Sequence, residues 1–146
     1  MLKALIFGVV GVVVLGAAAF FVLGLVSQKG EAPGLVDGRL ASCPDSPNCV
    51  SSEESAPPEK AVAPLAPEAW DSLAQVIAAQ GGTITSQSED YIAAEFKSAV
   101  FGFVDDVEFR RAEERVHLRS ASRVGYSDGG ANAKRVARLR EALLKR

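Results

Sequence analysis

The sequence is poor in the side chains that most often carry chemistry. Its 146 residues include one histidine, two cysteines, one tryptophan and a single methionine at the start. The histidine and cysteines together offer at most three soft ligands, one fewer than structural zinc takes, so no metal is expected. No cofactor is implied either. There is no overall excess of basic charge: the formal net charge is −2, which argues against nucleic acid as a partner. No internal repeat is evident. Between Lys3 and Lys29 charge is missing altogether.

That gap is informative. Ala4 to Val26 is almost wholly apolar, and about 20 apolar residues span a bilayer core. A cleavable signal has an apolar region of only about 7–15 residues. Ala17-Ala18-Ala19 resembles a cleavage site, but Phe20, Phe21, Val22 and Leu23 carry the run past it. Residues 1–28 therefore read as an uncleaved transmembrane signal anchor. Leu40-Ala41-Ser42-Cys43 looks like a lipoprotein box, yet Lys29, Glu31, Asp37 and Arg39 separate it from the apolar run and defeat that reading. Ala4, Gly8, Gly11 and Ala18 fall near one helical face, where small residues let membrane helices approach.

Orientation rests on less. Lys3 and the terminal amine precede the run, while Lys29 and Arg39 follow it, nearly a tie under the positive-inside rule. Cys43 and Cys49 break the tie. Disulfides persist in oxidising compartments, and five intervening residues, two of them proline, permit a tight bridged loop. Two independent thiols are the alternative. The expected location is the inner (cytoplasmic) membrane, single-pass, with the domain facing the periplasm. All seven prolines lie between Pro33 and Pro67, so residues 29–66 read as a tether with a Cys43/Cys49 knot. Asn48 to Ser52 offers an edge strand.

Residues 67–146 read as the folded domain. Trp70, Leu73, Ala74 and Ile77 recur at helical spacing after Pro67 and before Gly81-Gly82. Four β-prone stretches follow: Thr83 to Gln87, Tyr91 to Lys97, Phe101 to Arg110 and Arg115 to Ser122. Short turns between them imply antiparallel hairpins. In the third stretch Phe101, Phe103, Val107 and Phe109 share a face. Val136, Leu139 and Leu143 mark a last helix, with Asp128 as its N-cap. The expected class is α+β, an antiparallel sheet of four to five strands with both helices on one face.

Charge is uneven. Residues 31–109 hold fourteen acids and three bases, whereas 110–146 hold eleven bases and four acids. The distribution fits internal complementarity or a basic face toward anionic lipid. Alternation places Asp105 on the core face with Phe103 and Val107, where a carboxylate needs a partner. Arg119, Arg123 and the serines of Ser120-Ala121-Ser122 are the candidates. Ser120 to Gly130 is a Gly-rich loop entering a helix, an anion-cradle pattern that Asp128 would oppose. His117 has the opposite parity to Val116 and Leu118 and is expected to be exposed. Cys43 is a nucleophile only when reduced.

Three motifs carry a resemblance. Cys-Pro-Asp-Ser-Pro-Asn-Cys-Val-Ser-Ser at 43–52, Phe-Gly-Phe-Val-Asp-Asp-Val-Glu-Phe at 101–109 and Ser-Ala-Ser-Arg-Val-Gly-Tyr-Ser-Asp at 120–128, continued by Asn132 and Arg135, resemble the family called domain of unknown function 1499. The resemblance covers about residues 40–146. It implies a small domain, often with a membrane or export segment, and supplies no activity or cofactor.

The reading is a membrane-anchored, non-catalytic domain that binds a small anionic ligand or lipid headgroup through Asp105, Arg119, Arg123, Asn132 and Arg135. Its partners are the lipid bilayer and an integral membrane complex, of which it is alternatively an accessory subunit. A hydrolase-like enzyme using Asp105, Asp106 or His117 is the rival.

Overall fold

The computed structural model covers residues 1–146. The apolar opening forms one helix, α1 (Leu2–Ser27), of 26 residues. At 1.5 Å per residue that is about 39 Å, longer than the roughly 30 Å hydrocarbon core. It is the one helix long and apolar enough to cross a membrane. Its large side chains, among them Leu5, Phe7, Val12 and Leu15, are exposed, and only Gly24 and Ser27 are buried.

The domain is α+β. Strands β1 (Leu35–Val36) and β2 (Arg39–Leu40) form a small hairpin. Strands β3 (Cys49–Ser51), β4 (Thr83–Gln87), β5 (Tyr91–Lys97), β6 (Val104–Arg111) and β7 (Val116–Ser122) form an antiparallel sheet in the order β3-β7-β6-β5-β4. A 3₁₀ turn at Pro67–Ala69 leads into α2 (Trp70–Ala79), and α3 (Ala131–Leu144) closes the chain.

Period-2 alternation sends every second strand residue to the helices. Ile92, Ala94, Phe96, Val107, Phe109, Val116 and Leu118 meet Leu73, Val76 and Ile77 of α2 and Val136 and Leu139 of α3 in one core. Full burial of each large side chain there contributes about 1.5–3 kcal/mol. Gly81, at φ 86°, ends α2 in the left-handed conformation that glycine adopts without steric cost.

Two expectations need correction. Phe101 and Phe103 are not in the third long strand, since β6 begins at Val104. They belong to the β5–β6 turn, closed by Ser98 N–H to the Phe103 carbonyl at 2.8 Å and Phe103 N–H to Ser98 Oγ at 2.9 Å. Their rings pack on α1 instead of entering the core. His117 is buried, at 7 % exposure. It does lie on the face away from the helices, but Ser52 and Glu53 cover it there.

Residues 29–66 lie against the sheet. Cys43 and Cys49 form a disulfide with Cα atoms 5.6 Å apart. Edge strand β3 pairs with β7, and Ser51 also bridges to Ala61. Leu40, Asn48, Glu53, Lys60 and Leu65 are buried.

Candidate functional site at the helix–sheet junction

The end of α1 is fastened to the sheet. Ser27 Oγ donates to the Gly24 carbonyl at 2.6 Å and accepts from Val104 N–H at 3.0 Å. Gln28 Nε2 donates to the Gly102 carbonyl at 3.1 Å, and Lys97 Nζ donates to Gln28 Oε1 at 2.7 Å. Gly24 lies so close to the β5–β6 turn that an added Cβ would overlap the Phe101 carbonyl oxygen. The Ser27 carbonyl, at the helix C-terminus, accepts from Arg123 Nη1 at 3.1 Å. A cation there also suits the helix dipole.

Away from the helices, the sheet carries charge. Asp106, Glu108 and Arg110 follow one another on that side of β6, with Arg119 and His117 beside them on β7. Arg123 donates Nε to Asp106 Oδ2 at 2.7 Å and Nη2 to Asp106 Oδ1 at 2.6 Å and Glu95 Oε1 at 2.5 Å. Asp106 first, then Glu95, hold its guanidinium well above the ordinary arginine range against the opposing effect of burial. Glu108, with no exposed surface, accepts from Arg119 Nη1 at 3.0 Å, Tyr91 Oη at 2.8 Å and Gly34 N–H at 2.9 Å. Burial, then the bond to Glu108, push the Tyr91 phenol up. Arg110 binds Glu53 with two parallel bonds of 2.9 and 3.0 Å. Burial alone would raise the Glu53 carboxyl, but Arg110 and the Leu40 N–H outweigh it and hold the group below its ordinary value.

The sequence-derived candidates divide between the two faces. Asp105 meets neither Arg119 nor Arg123; it accepts from Arg135 Nη2 at 2.6 Å on the helix side. Arg135 Nη1 donates to Asn132 Oδ1 at 2.7 Å, and Ser120 Oγ donates to the same atom at 2.6 Å. Asn132 Nδ2 reaches the Asn48 carbonyl at 3.1 Å, and Asn48 Nδ2 reaches the Gly125 carbonyl at 2.7 Å. The N-cap position of α3 falls to Gly130 and not to Asp128 as expected; Asp128, two residues earlier, still accepts from the Asn132 and Gly130 N–H groups at 2.8 and 2.9 Å and so satisfies a first-turn donor. Burial pulls its carboxyl upward, and these bonds win and lower it. The three sequence motifs thus meet in one fastening of loop, sheet and helix.

Arg119 and Arg123 line a cavity of about 590 Å³ at the junction, with Ser27, Glu31, Ser42 and Ser122. Arg123 is largely engaged. Arg119 is not: its side chain is 9 % exposed, and its buried Nε has no partner. A second cavity, about 300 Å³, lies between Phe20, Leu23 and Phe103 on one side and Asp105 and Asp128 on the other.

The residues of the hydrolase reading do not form a relay. Ser52 Oγ at 3.4 Å and Glu53 Oε2 at 3.7 Å both face Nδ1 of His117. A triad needs carboxylate and nucleophile on different ring nitrogens. Ser52 Oγ also accepts from Leu118 N–H at 2.8 Å. Asp105 and Asp106 are both held in ion pairs. Sequence reasoning missed Glu108, Glu53, Glu95, Tyr91 and Ser27. The alternation Asp106, Glu108, Arg110 was the available signal for the charged face.

The fold and junction define a small α+β domain borne on an apolar helix. A family model described as a protein of unknown function, DUF1499, matches residues 39–143, more than half of the chain. The protein belongs to that family, and α1 lies outside the matched span. No curated protein and no solved structure matches it.

Proposed function

We propose that this is a single-pass membrane-anchored domain whose work is non-catalytic: it holds a phosphate- or carboxylate-bearing small ligand or lipid headgroup in the Arg119 cavity. The observation that carries this is the Arg119 guanidinium. It is buried, it donates to one carboxylate, its Nε–H lacks an acceptor, and its side chain lines the cavity beside the end of α1; Arg135 Nε, away from that cavity, is the other buried donor left unpaired. A buried donor without a partner costs about 1–3 kcal/mol, so an anion that reaches it is favoured. Asn132 and Arg135 do not share that cavity and are assigned to holding α3 in place. The disulfide supports an oxidising compartment, hence the periplasmic side of an inner membrane.

Native mass spectrometry of the detergent-extracted full chain tests the reading. The wild type is expected to retain an anionic lipid or metabolite. Arg119→Gln is expected to lose it. Ser42→Trp, which fills the exposed rim of the cavity and leaves every ion pair intact, is expected to lose it as well. An unchanged bound complement in both variants, with folding confirmed by circular dichroism, overturns the proposal.

A further inference from the structure

The two ends of the sheet differ. At the far end, the β4–β5 and β6–β7 turns hold Glu89, Asp90, Glu113 and Glu114. At the end beside α1, the β5–β6 turn reads Ser98-Ala99-Val100-Phe101-Gly102-Phe103, without a charge. Val100, at its tip, is 69 % exposed. Phe101 packs on Phe20 and Phe21 of α1, with ring centroids 5.3 and 5.1 Å apart, and Phe103 packs edge-on against Phe20 at 6.1 Å.

These contacts fix a depth. Phe20 and Phe21 precede Ser27 by seven and six residues, so at 1.5 Å per residue they lie about 10 Å back along the helix. If α1 is centred in a bilayer, its length of about 39 Å carries each end only about 4–5 Å beyond the roughly 30 Å hydrocarbon core. Phe101 then sits about 5 Å inside that core. We infer that the β5–β6 turn is a second membrane-contacting element, a wedge of Val100, Phe101 and Phe103 inserted into the lipid beside α1. The occupant of this apolar surface is the bilayer, because the uncharged turn packs its Phe101 and Phe103 rings directly on Phe20 and Phe21 of the apolar helix. The inference rests on the anchor reading proposed above. Backbone groups at that depth need internal partners. Ser98, Gly102 and Phe103 N–H have such partners, the Gly102 N–H bonding the Ser98 carbonyl at 3.2 Å, whereas Ala99, Val100 and Phe101 N–H have none within the protein, which keeps the wedge at the shallow depth that water and headgroups still reach.

Depth-dependent fluorescence quenching tests the wedge. The full chain, with Trp70→Phe to remove the native indole, receives Val100→Trp or, on the far turn, Ala112→Trp. Each is placed in nanodiscs whose acyl chains carry bromine at a shallow position. Position 100 is expected to be quenched several-fold more than position 112. Protein that co-elutes with the discs yet shows equal, weak quenching at both positions overturns the wedge and leaves the anchor standing. Protein that fails to enter the discs, and is released from membranes by alkaline carbonate, overturns the anchor and the wedge with it. A position-100 indole shielded by a second copy, seen as weak quenching together with a dimer in the disc, also overturns the wedge.

Discussion

Glu108 and Phe109 are neighbours in β6, both fully buried, on opposite faces of one sheet. Phe109 is buried by apolar side chains of the helix-covered core. Glu108 is buried by donors: a guanidinium, a phenol and a backbone N–H. The first face tolerates any apolar arrangement that fills its volume. The second depends on each partner being present, because an ion pair that loses one member leaves a buried charge uncompensated. The contrast teaches why a strand that alternates apolar and charged residues can have both faces buried.

The largest effects should come from breaking each face at these adjacent positions. Phe109→Ala should lower stability by about 3–5 kcal/mol through cavity formation. Glu108→Ala should lower it by a similar amount, about 3–5 kcal/mol, through the stranded Arg119. The sharper test is repair. Glu108→Leu combined with Arg119→Met should recover most of the loss in chemical denaturation of the detergent-solubilised chain. A loss at Glu108→Ala below about 1 kcal/mol would place that pair with exposed ones and erase the contrast.

Next is the loop that caps the charged face. Cys43→Ser should cost about 2 kcal/mol on the chain-entropy account of a short bridged loop. Reductant should lower the melting temperature of the wild type and leave that of the variant unchanged. On the helix side, Asp128→Ala should cost about 1 kcal/mol through the lost acceptor for the first turn of α3, read from the same melts.

The smallest effect is a slope. Glu53 has a folded-state value below its ordinary 4.5, so its contribution is complete above that pH and is lost as the pH falls through the lowered value. Stability should therefore decline below about pH 4.5, less steeply in Glu53→Gln. Phe109→Ala should shift the whole curve downward without changing that acid limb. Equal acid limbs in wild type and Glu53→Gln would mean that the Arg110 pair does not set it.

Much of this fold was legible in the residues. The length of the apolar run located α1, β-propensity located β4, periodicity located α2, β5 and α3, and the parity of Asp105 correctly put it on the helix side. What failed has a common physical cause: side-chain alternation gives a face but not what covers it. His117 has the parity of a residue away from the core, yet Ser52 and Glu53, 65 and 64 positions earlier, close over it. Phe101 and Phe103 have strand-like spacing, but Gly102 at φ 69° turns the chain and sends both rings to α1. The pairing of Asp105 with Arg135, and not Arg119, follows from the packing of α3, which no local pattern encodes. Arg123 drew notice for its loop, while its partners Asp106 and Glu95 became visible only through strand register.

Gly24, Ser27 and Gln28 leave no slack between α1 and the sheet. A domain on a flexible leash samples a broad volume, and its encounters are governed by effective concentration. Here the helix and the sheet travel as one body. With α1 in a bilayer, the domain keeps lateral diffusion and spin about the membrane normal, and tilts only as far as α1 itself tilts. A partner resident in the same membrane then meets it at constant height with the same turns presented. The orientational search that slows most protein encounters is thereby narrowed to spin about the normal and the limited tilt of α1.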